Sequence, residues 1–353
     1  MQKKLIALAV AGIMAAPMAA QAASAEVYGK VRLSVGVVGN DDETANAEDS
    51  KLNVASHNSR FGIKGSEDLK NGMKAIYQFE TEADFDDDNS DQKLFDSMRD
   101  TYVGVKGDFG TVKVGRMNSP YKNAAGKVDV WKDTHGDQNG MIKGNDERFD
   151  NTIAYYSPDM SGFTLGVAYI TDAADDDLVD DVTSEEMDAT SLALMYNNGP
   201  LYASLAYQSI TAGGNMVSGQ MEDREGTKLT LAYKVDSTKL GFVYEADDLG
   251  GNDGDQDRIY LSVDQGVGAD MAVKFAYSMA DERGGADDTG ASQFSLGMTK
   301  KMGDTTEMYV LYTQLDNDAN ADFDLYESKV AGTNLGEDAS AAVIGVNLKF
   351  SSM

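Results

Sequence analysis

The chain offers few of the side chains that enzymes use for catalysis or that proteins use to bind zinc. It has 353 residues with two histidines and no cysteine. His135 lies near Asp133 and Asp137, an arrangement that can activate a nucleophile, but no G-x-S-x-G serine motif accompanies it. A zinc site needs several nitrogen or sulfur ligands, which two histidines do not supply. We therefore expect no enzyme activity and interpret His135 as an ordinary loop residue.

One acidic segment has the spacing of a calcium-binding loop. Positions one, three, five, seven and twelve would be Asp316, Asp318, Asn320, Asp322 and Glu327. Position six is Ala321, where the sharp turn of such a loop needs glycine, and no helical pattern flanks the segment. We expect no specific metal site and no tightly bound cofactor, only loose association of Mg²⁺ or Ca²⁺ with acidic loops.

The strongest chemical feature is the excess of acid. The sequence has 30 basic and 59 acidic residues, a formal charge of −29. So acidic a chain lacks the basic surface that nucleic acid requires. Disordered acidic chains are poor in aromatics, yet this chain has 17 Tyr and 12 Phe. The acid is therefore expected to be confined to one part of an ordered protein.

Residues 1–25 have the features of a secretory signal peptide. A pair of lysines precedes the apolar stretch Leu5–Ala16, and two A-x-A cleavage sites follow at Ala20–Ala22 and Ala23–Ala25. The apolar stretch is shorter than the ~20 residues that a membrane-spanning helix needs. We predict export and a single domain over residues 26–353.

Beyond the leader, the charged residues lie in segments with the two-residue period of β-strands. In the first segment, Val27, Val31 and Val35 share one face, while Lys30 and Arg32 lie on the other. Later segments have the same alternation, with polar groups on the face opposite the apolar one. Seven short turns rich in Gly, Asn, Asp or Pro alternate with eight long acidic connections, which predicts sixteen strands.

This alternation favours an all-β transmembrane antiparallel barrel over a soluble sandwich. In lipid, a closed barrel pairs every backbone group and turns apolar side chains outward and polar ones inward. Sixteen strands enclose a water-filled channel, whereas eight leave an interior filled by side chains. Aromatic residues near the short turns are expected to form an interfacial girdle; they are Tyr155, Tyr156, Phe163, Tyr196, Tyr233, Phe242 and Phe350. An outer-membrane barrel enzyme and a secreted β-rich adhesin remain alternatives.

Six sequence blocks occur in a specific order and spacing. They are Glu26–Lys30 (EVYGK), Ser59–Leu69 (SRFGIKGSEDL), Asn71–Glu80 (NGMKAIYQFE), Arg99–Arg116 (RDTYVGVKGDFGTVKVGR), Arg148–Tyr156 (RFDNTIAYY) and Ser157–Tyr169 (SPDMSGFTLGVAY). With these blocks the chain resembles the trimeric general porins of the Gram-negative outer membrane over essentially its whole length after the leader. The resemblance implies sixteen strands, short periplasmic turns, long extracellular loops and a third long loop folded into the pore. One departure is that Ser351-Ser352-Met353 follow Phe350, whereas the family usually ends on an aromatic residue.

The resemblance also implies a constriction at which basic wall residues face acids on the infolded loop. Arg60, Arg116 and Arg148 match wall positions by motif, and Arg32, or alternatively Lys30, is expected to join them from the first strand. On the loop, residues 117–147, we predict that Asp129 and Asp133 face the channel and that Trp131 pins the loop to the wall.

These features predict an outer-membrane channel for passive diffusion of ions and small hydrophilic solutes. Because the long loops are acidic, they would concentrate cations at the external mouth, so weak cation selectivity is expected. A solute-selective channel on the same scaffold is the alternative. The expected partners are two further copies in a homotrimer, outer-membrane lipid and lipopolysaccharide, and the barrel-assembly machinery.

Overall fold

A computed structural model describes residues 23–40, 50–86, 97–171, 188–211, 223–250, 254–326 and 335–352. Most of the predicted leader, residues 1–22, lies outside the described residues. Ala23–Ala25, which the leader was predicted to include, are the first residues of strand β1. Several predicted acidic loops, including 172–189 and 211–226, also lie largely outside the described residues.

The described chain is built almost entirely of strands. They are β1 (Ala23–Asn40), β2 (Lys51–Ser56), β3 (Arg60–Asp68), β4 (Lys74–Glu82), β5 (Thr101–Gly107), β6 (Gly110–Asn118), β7 (Arg148–Tyr156), β8 (Phe163–Ile170), β9 (Asp188–Asn198), β10 (Leu201–Thr211), β11 (Arg224–Val235), β12 (Thr238–Asp248), β13 (Asp255–Val267), β14 (Met271–Ala280), β15 (Ala291–Lys301), β16 (Thr306–Asn317) and β17 (Ala339–Ser351).

From β3 onward each strand pairs antiparallel with the next, and β1 pairs with β17 to close the sheet into a barrel. β2 and β3 both pair with β1 along its length, so together they occupy one position in the barrel wall. His57–Ser59 separates them, and Asn58 turns the chain there with a φ of 49°. The barrel therefore has sixteen strand positions, which confirms the predicted number.

One short α-helix, α1 (Pro120–Ala125), follows β6. It begins at Ser119, whose Oγ accepts from the N–H of Lys122 at 3.2 Å, and proline occupies its first turn. Two short 3₁₀ turns lie at Lys70–Gly72 and Gln138–Gly140. No helix within the described ranges is long and apolar enough to cross a membrane.

The barrel carries its apolar residues on the outside. Val103 is 64% exposed, Leu205 56% and Ile344 53%, and each lies on the outward face of its strand. The inward face is lined largely by Ala, Ser, Thr, Gly and charged residues, as a lipid-facing barrel requires. Of the predicted girdle residues, Phe163 and Tyr196 contact each other on the outside, with ring centroids 4.5 Å apart.

Two predictions about side-chain direction were wrong. Tyr156 shares the inward face with Ala154 and packs against an inner cluster. Arg116 lies opposite Thr101 on the outward face, because it keeps the alternation that places Val112 and Val114 there. The valines of β6 thus point to lipid as expected, and Arg116 goes with them.

The seam between β1 and β17 includes the residues that follow Phe350. Ser351 lies opposite Tyr28. The N–H of Ser352 donates to the carbonyl of Val27 at 2.7 Å, and Ser352 Oγ accepts from the N–H of Val27 at 2.9 Å. These residues extend the closing strand pair.

Candidate channel constriction

The segment between β6 and β7, residues 119–147, packs against the inner wall of the barrel; we refer to it as the constriction loop. Tyr202 Oη donates to the carbonyl of Ala124 at 2.7 Å, and Ser262 Oγ donates to the carbonyl of Val128 at 2.7 Å. Trp131 is 2% exposed and lies over Gly297. A Cβ at Gly297 would lie 2.7 Å from the indole ring, so glycine is what allows this close approach.

Both ends of the constriction loop meet a buried group of charges on β11–β13, the anchor cluster. It consists of Lys228, Glu245, Asp247 and Arg258 from the wall and Asp146 from the loop. Lys228 Nζ lies 2.5 Å from Asp146 and 3.1 Å from Glu245, and its side chain is 0% exposed. Arg258 lies 2.5 Å from Asp247. Tyr121, at the start of the loop, donates to Glu245 at 2.9 Å.

The opposite side of the constriction loop faces a row of arginines, Arg32 of β1, Arg60 of β3 and Arg99 just before β5, which we call the arginine row. Asp133 of the loop contacts Arg32 and lies 2.8 Å from Arg60.

Two further carboxylates contact the arginine row, and both belong to β4. Arg99 lies 3.1 Å from Glu80 and 3.1 Å from Glu82, and Arg60 lies 3.9 Å from Glu80. The guanidinium groups and carboxylates alternate, so the charges of this wall compensate one another.

The predicted site residues fall into two groups. Arg32, Arg60 and Asp133 come together as expected. Arg148 pairs with Asp100 at 2.9 Å, and Arg116 pairs with Asp150 at 3.0 Å, so neither forms an ion pair with the constriction loop.

Asp129 does not contact an arginine of the row. Its Oδ1 accepts from the N–H of Trp131 at 3.0 Å, and it borders the cavity below the loop. Desolvation raises the pKa of Asp129, and also that of Asp137, to which its carboxyl is hydrogen-bonded.

Sequence reasoning missed Arg99, Glu80 and Glu82. Glu80 and Glu82 lie on the same face as Gln78, which the strand alternation could have shown. Arg99 lies before the start of β5, outside any alternating segment, and only its contact with Glu80 identifies it.

A cavity of about 730 Å³ lies below the constriction loop, toward the short turns. Trp131 and Tyr309 border it, together with Lys274, Lys301 and Lys349. Lys274 Nζ lies 5.7 Å from the centre of the indole ring of Trp131, a cation–π contact. We call the lumen-facing positions between the constriction loop and the short turns the lower lumen.

Lysines outnumber acids on the strand faces of the lower lumen. The lysines are Lys30, Lys64, Lys74, Lys106, Lys113, Lys234, Lys239, Lys274, Lys301 and Lys349, and the acids are Glu26, Asp68, Asp264 and Glu307. Three pairs of lysines are directly opposed across neighbouring strands, an arrangement that costs stability; they are Lys30 and Lys349, Lys74 and Lys106, and Lys234 and Lys239.

Five of these lysines lie directly opposite an acid across a strand pair, namely Lys64, Lys74, Lys239, Lys274 and Lys301, and the other five do not. Within the described residues, only Lys64 and Lys74 form ion pairs, with Glu26 at 3.2 Å and Asp68 at 2.8 Å. The strand faces of the lower lumen therefore carry a net positive charge, with Lys30 and Lys349 unpaired within the described residues, in contrast to the arginine row.

The predicted calcium-loop residues do not converge. Asp316 accepts from Gln314 at 2.6 Å, Asp322 pairs with Arg283 at 3.0 Å, and Asn320 donates to the carbonyl of Asp287 at 3.0 Å. Glu327 lies outside the described residues. In the described part of the chain, no group of three or more His, Cys, Asp or Glu side chains is arranged to hold a metal ion.

Residues 7–320 match the profile of the Gram-negative porin family. Outer membrane porin protein 32 of Delftia acidovorans is 30% identical over 375 positions, which cover 99% of this chain and 100% of the relative. The structure of an anion-selective porin from Comamonas acidovorans matches with a TM-score of 0.77 and 27% identity over 93% of this chain and all of that one.

A more distant structure shares the fold alone. The trimer form of in-vitro folded OmpT from Vibrio cholerae has a TM-score of 0.68 and 15% identity, covering 94% of this chain and 100% of that chain.

Proposed function

Because the chain belongs to the Gram-negative porins of the outer membrane, we propose that it forms a water-filled channel for passive diffusion of ions and small hydrophilic solutes, with a preference for anions. The constriction loop narrows this channel against the arginine row, and the lower lumen supplies the net charge. Pore diameter and fixed charge together determine what passes.

The observation that carries the anion preference is the uncompensated lysine lining of the lower lumen. Lys30 and Lys349 oppose each other across β1 and β17, and neither has an ion-pair partner among the described residues. A narrow aqueous lumen bounded by low-dielectric walls focuses the field of such charges and concentrates anions. At the arginine row, by contrast, Asp133, Glu80 and Glu82 offset the basic charge.

The weak cation selectivity predicted from the acidic loops is not supported. The similar porin from Comamonas acidovorans is anion-selective, and the described lower lumen is basic rather than acidic. The acidic long connections, which lie largely outside the described residues, are expected at the mouth, where salt at 0.1 M screens charges beyond about 10 Å. Lysines on the lumen wall lie beside the ion path, so salt weakens their effect less.

Zero-current potentials across a planar bilayer test this proposal. In a KCl gradient, a channel that prefers anions develops a zero-current potential of the sign expected for chloride flow. We expect the preference for chloride to persist at ~0.1 M and above, because the mouth charges are screened there. A potential of the opposite sign throughout this range would contradict the proposal.

We also propose that three copies assemble into a trimer of separate pores in a membrane containing lipopolysaccharide. The trimer form of the Vibrio cholerae structure and the exposed apolar exterior support this. A detergent-resistant band that becomes a monomer on heating is expected on a gel; a monomer at all temperatures and in crosslinking would contradict it. Insertion by the barrel-assembly machinery and loose binding of Mg²⁺ or Ca²⁺ at acidic loops remain predictions.

A further inference from the structure

One lysine of the lower lumen lies between two tyrosine rings. Tyr102 of β5 and Tyr156 of β7 belong to the strands that flank β6, and Lys113 of β6 reaches both rings. Lys113 Nζ lies 4.2 Å from the ring centre of Tyr102 and 5.7 Å from that of Tyr156, within the range of cation–π contacts. We refer to these three residues as the tyrosine–lysine site.

Both rings lie on the lumen side of the wall. Tyr102 alternates with Val103, which is exposed on the outside, and it lies directly opposite Gly115. A Cβ at Gly166 would lie 2.9 Å from the ring of Tyr156, so glycine allows this ring to lie close against β8. Both rings pack against an inner apolar cluster and are half-buried, so part of each ring is accessible from the lumen.

Amide side chains hold the two tyrosine hydroxyls. Tyr102 Oη donates to Gln78 Oε1 at 3.4 Å. Asn123 of α1 donates to Tyr156 Oη at 3.4 Å, which joins the tyrosine–lysine site to the constriction loop. A solute that passes the constriction loop therefore meets this part of the wall next.

The charge of Lys113 has no carboxylate partner. Lys113 forms no ion pair within the part of the chain that the structure describes, and Asp100, just before β5, pairs with Arg148 at 2.9 Å. Lys64 differs, because it lies 4.8 Å from the ring centre of Tyr28 but also pairs with Glu26 at 3.2 Å. Lys113 therefore offers an unpaired ammonium group beside two aromatic rings.

We propose that the tyrosine–lysine site favours aromatic carboxylates among the anions that enter the channel. A carboxylate is a stronger partner for an ammonium group than the face of a ring at a solvated site. Lys113 therefore turns from the rings to the carboxylate of the solute, and the ring of the solute stacks on a tyrosine. An aliphatic anion gains only the charged contact. The inference rests on the proposed function, because it names a solute class for the proposed anion channel.

Reduction of the chloride current in planar bilayers tests the inference, with benzoate and cyclohexanecarboxylate as probes. The two anions have the same charge and nearly the same size, but only benzoate has an aromatic ring. A solute that binds in the lumen lowers the chloride conductance, and the concentration that gives half of the full reduction measures its affinity. We expect this concentration to be roughly two- to tenfold lower for benzoate, because stacked rings gain more than their burial alone.

Four variants separate the ring from the charge. Tyr102→Leu and Tyr156→Leu remove a ring but keep an apolar side chain, and each should bring the two probes closer to equal affinity. Tyr102→Phe keeps the ring and should keep the preference for benzoate, whereas Lys113→Gln should weaken the binding of both probes. Tyr233→Leu removes an exposed ring on the outside of the barrel and is the control.

Equal affinity for the two probes in wild-type channels, or a preference for benzoate that persists in both leucine variants, would overturn the inference. If the leucine variants do not assemble, the other two variants decide. Loss of the preference in Tyr102→Phe, or unchanged binding of both probes in Lys113→Gln, would then overturn it. A wild-type channel that conducts no chloride or prefers cations would instead contradict the proposed function.

Discussion

The arginine row and the lower lumen are both basic surfaces of the same channel, but they differ in compensation. Arg32, Arg60 and Arg99 each contact at least one carboxylate. Lys30 and Lys349 of the lower lumen lie opposite each other with no ion pair among the described residues. We propose that basic charge at the arginine row positions the constriction loop, whereas basic charge below it creates the net field that ions meet.

The anchor cluster extends this comparison to the other side of the constriction loop. There the ion pairs are fully buried, with Lys228 and Glu245 0% exposed, whereas the side chain of Glu82 in the arginine row is 19% exposed. Buried pairs lose more when one partner is removed, because the remaining charge is left without water. The effects of substitution should therefore fall from the anchor cluster to the arginine row to the lower lumen.

Lys228→Met should have the largest effect. It leaves Asp146 and Glu245 without their shared cation, and removing one partner of a buried pair costs about 3–5 kcal/mol. We expect the constriction loop to detach, which would be seen as noisy channels of larger conductance and faster proteolysis within residues 119–147. Lys143→Met, an exposed change in the same loop, is the control. Equal behaviour of the two variants would show that the anchor cluster does not hold the loop.

Arg60→Ser should have an intermediate effect. It leaves Asp133 with one fewer cation and removes a charged hydrogen bond worth about 1.5–3 kcal/mol. The zero-current potential should shift toward cations because the acids are then in excess. Arg116→Ser is a matched control, since Arg116 pairs with Asp150 on the outward face. An equal shift in both variants would mean that the arginine row is not the part of the wall that ions meet.

The double change Lys30→Gln and Lys349→Gln should leave assembly intact and reduce anion preference. An uncompensated charge at 4–8 Å from the ion path stabilises an anion by about 0.5–1 kcal/mol in water, or roughly two- to fivefold in local concentration. Stability should rise slightly, because two opposed like charges are removed. Lys300→Gln, whose side chain lies on the outward face opposite Met271, should change neither property. If the anion preference survived the double change, the lysine lining would not be what determines selectivity.

Asp129→Asn should have the smallest effect. Desolvation and the hydrogen bond with Asp137 raise the pKa of Asp129, so the pair retains a proton to higher pH than isolated carboxyls do. Replacing the carboxyl by an amide therefore removes little charge, and the zero-current potential at neutral pH should match that of wild type. A shift as large as that of Arg60→Ser would show that Asp129 is charged and faces the ion path.

The sequence predicted the architecture because the two-residue period survives in nearly every strand. The same alternation predicted the lumen face of Arg60, and motif similarity pointed to the loop that carries Asp133. Arg116 was misplaced because it was assigned by motif, whereas the alternation of β6 places it on the same face as Val112 and Val114. The ion pairs of Arg99 and the burial of His135, which is 1% exposed, were missed because they depend on contacts between residues distant along the chain, and local patterns do not show such contacts.

We propose above all that the unpaired lysines of the lower lumen, rather than the acidic mouth, set the ion preference. The zero-current potential of wild-type channels in a KCl gradient, measured at ~0.1 M and then at higher salt, tests it directly. We expect a chloride preference at ~0.1 M that the double lysine change reduces. A cation preference at ~0.1 M that fades as salt rises would contradict it and would assign selectivity to the acidic loops.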